Sequence, residues 1–280
     1  MKLQIETYHG CNARCTMCTI DRWTRPKGPM DDALFKRIAS QALGLLPELE
    51  VISLYMDGEP LLDKGISRRV AHCKEIGLPH VGFSSNASLL TREDSRSLLD
   101  VGMNWIAISL DSMDAESYEK VRRRLDHATV VANVHALIEE REKSGSDMEI
   151  ALRFLGHPEN RQTFEEYEAY WQQYLRPTDK IVNSWLHNWG ETPDGKAVPS
   201  TVPCFHLFRN MVVLSNGKVP MCCVDYNAEN CMGQVEEQTL AEIWNGEKFR
   251  ALRDIHSSGK RAEIDRCRWC TVTNQFERNV

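Results

Sequence analysis

The stretch His9-Gly10-Cys11-Asn12-Ala13-Arg14-Cys15-Thr16-Met17-Cys18 places three cysteines in the spacing C-x3-C-x2-C. A cubic [4Fe–4S] cluster ordinarily takes four cysteines. Three thiolates from one short loop therefore leave one iron open for a ligand that is not protein. The competing reading is a zinc site or a disulfide knot, but zinc sites usually pair a C-x2-C with a second pair of ligands. The loop follows Leu3-Gln4-Ile5-Glu6-Thr7, whose apolar alternation reads as a first β-strand.

The chain has 280 residues, enough for one barrel-sized domain and a small appendix. Its net charge is −6 and no basic block stands out, which argues against a nucleic-acid partner. No run of about 18 apolar residues is present to span a membrane. The chain enters its first strand directly after Met1-Lys2, which leaves no room for a signal peptide. Ten cysteines in that setting point to a reducing, cytoplasmic compartment and to metal ligation rather than disulfides.

Strand-like segments at 3–7, 50–56, 80–85, 105–110, 149–155 and 180–186 alternate with helix-like stretches near 31–47, 65–77, 92–102, 115–143 and 161–175. Thr91 with Asp94 three residues on is a helix-capping signal. Strands separated by helices pair in parallel. The fold class is α/β, a partial (β/α)6 TIM-like barrel with its chemistry on the loops at the strand C-termini. It spans 1–190. Residues 191–203 are rich in turn formers and read as a linker. A small C-terminal β-hairpin/helix domain, 204–280, follows, with a hairpin around 211–221 turning at Ser215-Asn216-Gly217 and a helix near 239–254.

In this setting the three-cysteine loop resembles the radical S-adenosylmethionine (SAM) superfamily, whose open iron is chelated by the amino and carboxylate groups of SAM. A second cysteine set supports the resemblance. Cys204 is followed by Gly217, by Cys222 after four intervening residues, and near the end by Cys267-x2-Cys270. This is similar to the "twitch" form of the SPASM domain, which binds one auxiliary [4Fe–4S] cluster; a zinc held by the same four thiolates is the alternative. Two [4Fe–4S] clusters and SAM are thus the implied cofactors, and a flavodoxin- or ferredoxin-type protein the implied reductant.

The resemblance also assigns the SAM pocket. Gly58-Glu59-Pro60, after the second strand, would receive the SAM amino group, with Gly58 allowing close approach. Ser85 and Asn86 end the third strand near the SAM carboxylate and ribose. Ser109, ending the fourth, would reach the ribose, and Asp111 would cap the next helix. Arg153 would pair with the SAM carboxylate, and Met17 would lie against the adenine. His187, Asn188 and Trp189 would face the substrate, with a core position the other reading for Trp189. Asp225 is a further substrate candidate. Asp57, Glu59, Asp111, Asp225 and Glu229 would form a negative mouth for a cationic carbohydrate.

The superfamily's first steps are reductive cleavage of SAM and hydrogen abstraction from a substrate carbon by the 5′-deoxyadenosyl radical. Three cysteines fall outside the cluster sets. Cys73 lies in the apolar pattern of a helix. Cys223 and Cys231 flank Asp225-Tyr226-Asn227. The layout is most similar to twitch enzymes of aminocyclitols and aminoglycosides, which include neomycin-type epimerases and the butirosin-pathway 2-deoxy-scyllo-inosamine dehydrogenase. By approximate alignment the dehydrogenase has an arginine in place of Trp189 and an apolar residue in place of Cys231. The expectation is therefore an epimerase inverting a hydroxyl-bearing carbon of an aminoglycoside-type small molecule. Cys231 is the hydrogen donor and Cys223 the alternative donor. A secondary-alcohol dehydrogenase or a peptide-modifying enzyme is the alternative activity.

Overall fold

The computed structural model describes residues 1–190, 199 and 201–272. Most of the expected linker, 191–203, lies outside the described residues. In chain order the first elements are β1 (Lys2–Ile5), β2 (Tyr8–His9), β3 (Gly28–Pro29), α1 (Asp32–Ala42), β4 (Val51–Ser53), α2 (Ile66–Glu75), β5 (Val81–Ser85), α3 (Arg92–Asp100) and β6 (Trp105–Ser109). There follow α4 (Ala115–Val121), α5 (His127–Ser144), β7 (Glu149–Gly156), α6 (Phe164–Trp171) and β8 (Lys180–Trp185). The C-terminal part holds α7 (His206–Arg209), β9 (Asn210–Val213), β10 (Lys218–Pro220), β11 (Cys231–Gln234), α8 (Leu240–Trp244), α9 (Glu247–Ser257) and α10 (Asp265–Arg268).

Seven strands form one open sheet in the order β8-β7-β6-β5-β4-β1-β9. Every neighbouring pair is parallel. This is a partial barrel with its helices as crossovers. Side chains cap those crossovers. Thr91 and Asp94 form a reciprocal capping box on α3, and Thr163 with Glu166 repeats it on α6. Asp126 starts α5, and Gly145, at φ 68°, ends it in the left-handed conformation that glycine tolerates. The core is one contiguous set of Leu, Ile, Val and aromatic side chains between sheet and helices. Gly82 is required where β5 passes β6, since a Cβ there would lie 2.0 Å from the Trp105 carbonyl oxygen.

Three local expectations need correction. The single helix at 115–143 is two, α4 and α5. Between them Arg124 turns to φ 71°, and the carbonyls of Val121 and Arg123 accept the Thr16 and Arg14 N–H groups at 2.9 Å each. The break is therefore where the three-cysteine loop docks. The helix near 239–254 is likewise two, α8 and α9. The hairpin around 211–221 keeps its turn, with Leu214 N–H bonded to Lys218 O at 2.9 Å. Its first strand, however, joins the barrel sheet beside β1, while β10 pairs with β11. Burial of Met211, Val212 and Val213 against β1 outweighs a free-standing two-stranded ribbon.

A buried ion pair ties these parts together. Glu6, fully buried just past β1, accepts two bonds from the Arg25 guanidinium at 2.6 and 2.7 Å. It also meets His9 Nδ1 at 3.1 Å and accepts the Ser215 N–H at 2.8 Å. Arg25 Nε donates to Tyr226 O at 2.8 Å. Burial pushes the Glu6 carboxyl up, but the His9 and Arg25 hydrogen bonds outweigh it and hold the group down at about 2, against an ordinary 4.5.

Arg25→Ala leaves a buried carboxylate without its cation, a change that costs about 3–5 kcal/mol. Denaturant unfolding is expected to show that loss near neutral pH. Because the Glu6 value is depressed, its contribution is full above pH 4.5 and is lost as pH falls through about 2. Wild type is expected to lose stability across that window, and Arg25→Ala to lose correspondingly less.

Candidate active site

The cluster loop leaves β2 at the C-terminal end of the sheet, where strand ends and their loops meet. Cys11, Cys15 and Cys18 line one cavity of about 320 Å³. Donors surround the sulfurs: Ala13 N–H lies 3.4 Å and Asn86 Nδ2 3.8 Å from Cys11 Sγ, and Arg122 Nη1 3.6 Å from Cys15 Sγ. N–H groups of this kind suit thiolate sulfurs bound to iron. As free thiols, Cys11 and Cys18 are pushed up to about 11 and 12, first by burial and then by neighbouring acids and thiols. Arg122 is itself held by Asp111 at 2.5 and 3.0 Å. That pairing displaces the expected capping role of Asp111. Asp114 caps α4 instead, accepting the Ser117 N–H at 3.0 Å.

The loop leaving β4 turns at Gly58 because the cluster loop runs directly over it. A Cβ there would lie 2.2 Å from Tyr8 O and 2.9 Å from Gly10 O. Glu59 N–H bonds Gly10 O at 2.8 Å. The Glu59 carboxylate accepts from Leu61 N, Ser85 Oγ and Asn86 N at 3.0, 2.8 and 2.8 Å. Glu59 thus joins the β4 and β5 ends before any ligand arrives. Burial raises its carboxyl, against those hydrogen bonds. Gly58, Glu59, Ser85, Asn86, Ser109, Arg153 and Met17 all line the cavity. Pro60 does not line it; it opens a short 3-10 turn, Pro60–Leu62, behind the site.

A second cavity of about 730 Å³ continues into the barrel. The two share Tyr55, Met56, Asp57, Arg153, Ser184, Trp185, His187 and Trp189. Trp189, at φ 52°, donates its indole N–H to Met17 O at 2.8 Å. Its ring packs against the cluster of Val224, Cys270 and Val272 with Cys222 and Cys223. It therefore touches both cysteine sets. His187 is pulled down to about 4 by burial and accepts the Trp189 N–H at 3.2 Å.

Cys204, Cys222, Cys267 and Cys270 converge in the C-terminal part. Burial, followed by repulsion from Cys223, Cys267 and Cys204, raises the Cys222 thiol, and burial followed by Cys204 and Cys270 raises that of Cys267. Among the described residues no group of three His, Cys, Asp or Glu side chains is drawn up around a single metal ion. Cys204, Cys267 and Cys270 are buried and Cys222 partly so, and four thiols suit a [4Fe–4S] cube, whose sulfur cage is wider than a single ion's.

Three expected positions differ. Asn188 does not face the cavities: its Nδ2 donates to Trp269 O at 2.6 Å and its Oδ1 accepts Thr271 N–H at 3.1 Å, beside Cys270. Asp225 is fully buried and accepts Glu229 and Asn230 N–H at 3.0 Å each, so it shapes its own loop. Cys231, on β11, lines neither cavity, and its Sγ lies 3.3 Å from Gly233 O. Cys223 does line the second cavity, and its thiol is raised by burial and then by Asp57. Of the expected acidic mouth, Asp57, Glu59 and Asp111 line the first cavity, whereas Glu229 pairs with Arg266 outside it. Tyr55, which sequence reasoning left out of the site, lies with Asp57 of the expected acidic mouth at the junction of the cavities. Its place just before Gly58-Glu59 was the available signal.

Residues 5–169 match the radical SAM superfamily, and 204–271 match an iron–sulfur cluster-binding domain of the SPASM type. This chain belongs to the radical SAM superfamily. It uses a [4Fe–4S] cluster with SAM, and its SPASM-type region carries an additional iron–sulfur cluster. The chain is 24% identical to the S-adenosyl-L-methionine-dependent 2-deoxy-scyllo-inosamine dehydrogenase of Niallia circulans, over 96% of this chain and 91% of that protein. It is 28% identical to the tungsten-containing aldehyde ferredoxin oxidoreductase cofactor-modifying protein of Pyrococcus furiosus, over 51% of this chain and 40% of that one. Among solved structures, BtrN in complex with AdoMet and 2-DOIA superimposes with a TM-score of 0.67 at 22% identity, over 96% and 92% of the two chains. Streptococcus suis SuiB bound to S-adenosylmethionine gives 0.69 at 14%, over 91% and 68%. No helix of the described residues is long and apolar enough to cross a membrane.

Gly58→Ala must push the cluster loop off the strand end. Overpacking against backbone costs about 1–3 kcal/mol, so SAM binding by calorimetry is expected to weaken about tenfold or more. Asn188→Ala frees the loop carrying Cys267 and Cys270. Iron per chain is expected to fall from roughly eight toward four under mild chelation, while SAM cleavage persists.

Proposed function

We propose that this chain oxidises a secondary alcohol on an aminocyclitol-type small molecule. The observation that carries this reading is the likeness to the 2-deoxy-scyllo-inosamine dehydrogenase along nearly the whole chain, and the location of Cys231 agrees with it. The epimerase expectation rested on Cys231 as hydrogen donor, and that thiol lies outside both cavities.

When bound, SAM and the two clusters supply a hydrogen-abstracting radical and an electron acceptor. The protein's residues do the rest. Glu59, Ser85, Asn86, Ser109 and Arg153 surround the first cavity with groups suited to the amino, carboxylate and ribose portions of SAM. Trp189 and His187 close the space between the cysteine sets, and burial keeps His187 uncharged at neutral pH. The substrate lies in the second cavity, whose walls bring the β-strand interior and the Cys223 loop together. Asp57 adds an acidic group for a substrate amine.

Inversion at a hydroxyl-bearing carbon is the second reading. It is favoured by Cys223 alone, a thiol on the cavity wall beside Asp57.

Reaction of the reconstituted protein with SAM, reductant and 2-deoxy-scyllo-inosamine in D2O separates the two. Oxidation is expected to give a product lighter by two hydrogens, from wild type, Cys231→Ala and Cys223→Ala alike. An isomer carrying one deuterium, lost in Cys223→Ala while SAM cleavage continues, would replace this reading with epimerisation.

A further inference from the structure

Alcohol oxidation releases a proton from the substrate hydroxyl, and the geometry points to a residue that receives it. Tyr55 follows β4 at the junction of the two cavities and lines both. Arg153 from β7 and Ser84 from β5 lie beside its phenol. Lys2 Nζ, from β1, lies 5.5 Å from its ring centroid. Trp105 of β6 stands edge-on at 6.4 Å. The groups facing the phenol from β1 and β7 are thus both cations, and those from β5 and β6 are neutral. Asp57, two residues along the same loop, is the acid of that junction, while Glu50, Glu149, His80 and Lys180 lie along the wall of the second cavity.

We propose that Tyr55 is the proton acceptor for the substrate hydroxyl, with Arg153 and Lys2 holding its phenolate. The proposal rests on the alcohol-oxidation reading. In the step, the substrate O–H bond breaks, its proton passes to Tyr55 Oη, and the electron pair stays on the substrate oxygen. The remaining hydrogen atom and electron would be taken up by the radical and redox chemistry that SAM and the auxiliary cluster would supply when bound.

Other groups at the junction are less suited. A guanidinium is donor-only and cannot accept a proton. His187, at about 4, is a weak base. For Tyr55, burial raises the phenol, but the nearby charges of Lys2 and Arg153 outweigh it and bring it from 10 down to about 8. A base poised close to working pH is the effective one.

The test uses the cluster-loaded protein with tyrosines labelled at the ring carbon bearing oxygen. Comparison of wild type and Tyr55→Phe by NMR assigns the Tyr55 signal. Its midpoint is expected near 8, moving upward in Arg153→Met. In parallel, kcat/KM for 2-deoxy-scyllo-inosamine is expected to rise with pH through the same value and level off above it. Tyr55→Phe should lower that rate about 100-fold or more and remove the rise, with SAM cleavage retained. A Tyr55 midpoint near 10 would overturn the proposal. So would a Tyr55→Phe enzyme that oxidises nearly as fast as wild type with the same pH profile, the more so if Asp57→Asn abolishes the profile instead. A wild type that cleaves SAM but oxidises no aminocyclitol would sink the underlying dehydrogenase reading, and Tyr55 as its base with it. That outcome is distinct from a failure of Tyr55 in an active wild type.

Discussion

The Glu6–Arg25 pair is the constraint around which the rest of the molecule is arranged. A carboxylate with no solvent exposure is tolerated only when fully partnered. Glu6 recruits Arg25 from the far side of the cluster loop, His9 from its start and Ser215 from the turn after β9. Arg25 then reaches Tyr226, next to the auxiliary-ligand segment. One ion pair thus sets where the first strand ends, where the three-cysteine loop begins and where the C-terminal part seats. Asp57, raised well above its ordinary value by burial and then by Glu6, feels the same charges from the cavity side.

Backbone groups hold the cluster loop from two sides. Gly10 O meets Glu59 N–H, while Arg14 and Thr16 N–H meet the carbonyls at the α4–α5 break. Such contacts require close approach, and Gly58 supplies it. The helix interruption at Arg122–Arg124 follows the same logic. A continuous helix would consume the carbonyls that the loop needs.

The auxiliary region is not a separate appendage. β9 extends the barrel sheet, Trp189 connects Met17 to the second cysteine set, and Asn188 staples the Cys267–Cys270 turn to the end of β8. A substrate in the larger cavity would therefore sit between two iron–sulfur sites whose separation is set by the barrel itself.

Much of this was legible in the sequence. Alternating strand and helix periods, capping signals such as Thr91 with Asp94, and two cysteine sets with characteristic spacing determined the α/β class and the superfamily. These are local patterns, encoded within a few residues of each other. Tertiary structure alone decided which candidates meet. The sequence favoured Cys231 as donor with Cys223 as the alternative, but the path of the loop after β10 brings Cys223, not Cys231, to a cavity. Asn188 and Asp225 look like substrate contacts until their amide and carboxylate are seen to be spent on neighbouring backbone. Tyr55 carries no motif, and its acidity arises from Lys2 and Arg153, which lie 53 and 98 positions away in the chain. Sequence spacing records what a residue can do; only the parallel packing of β1, β4 and β7 brings these three charges to the same point.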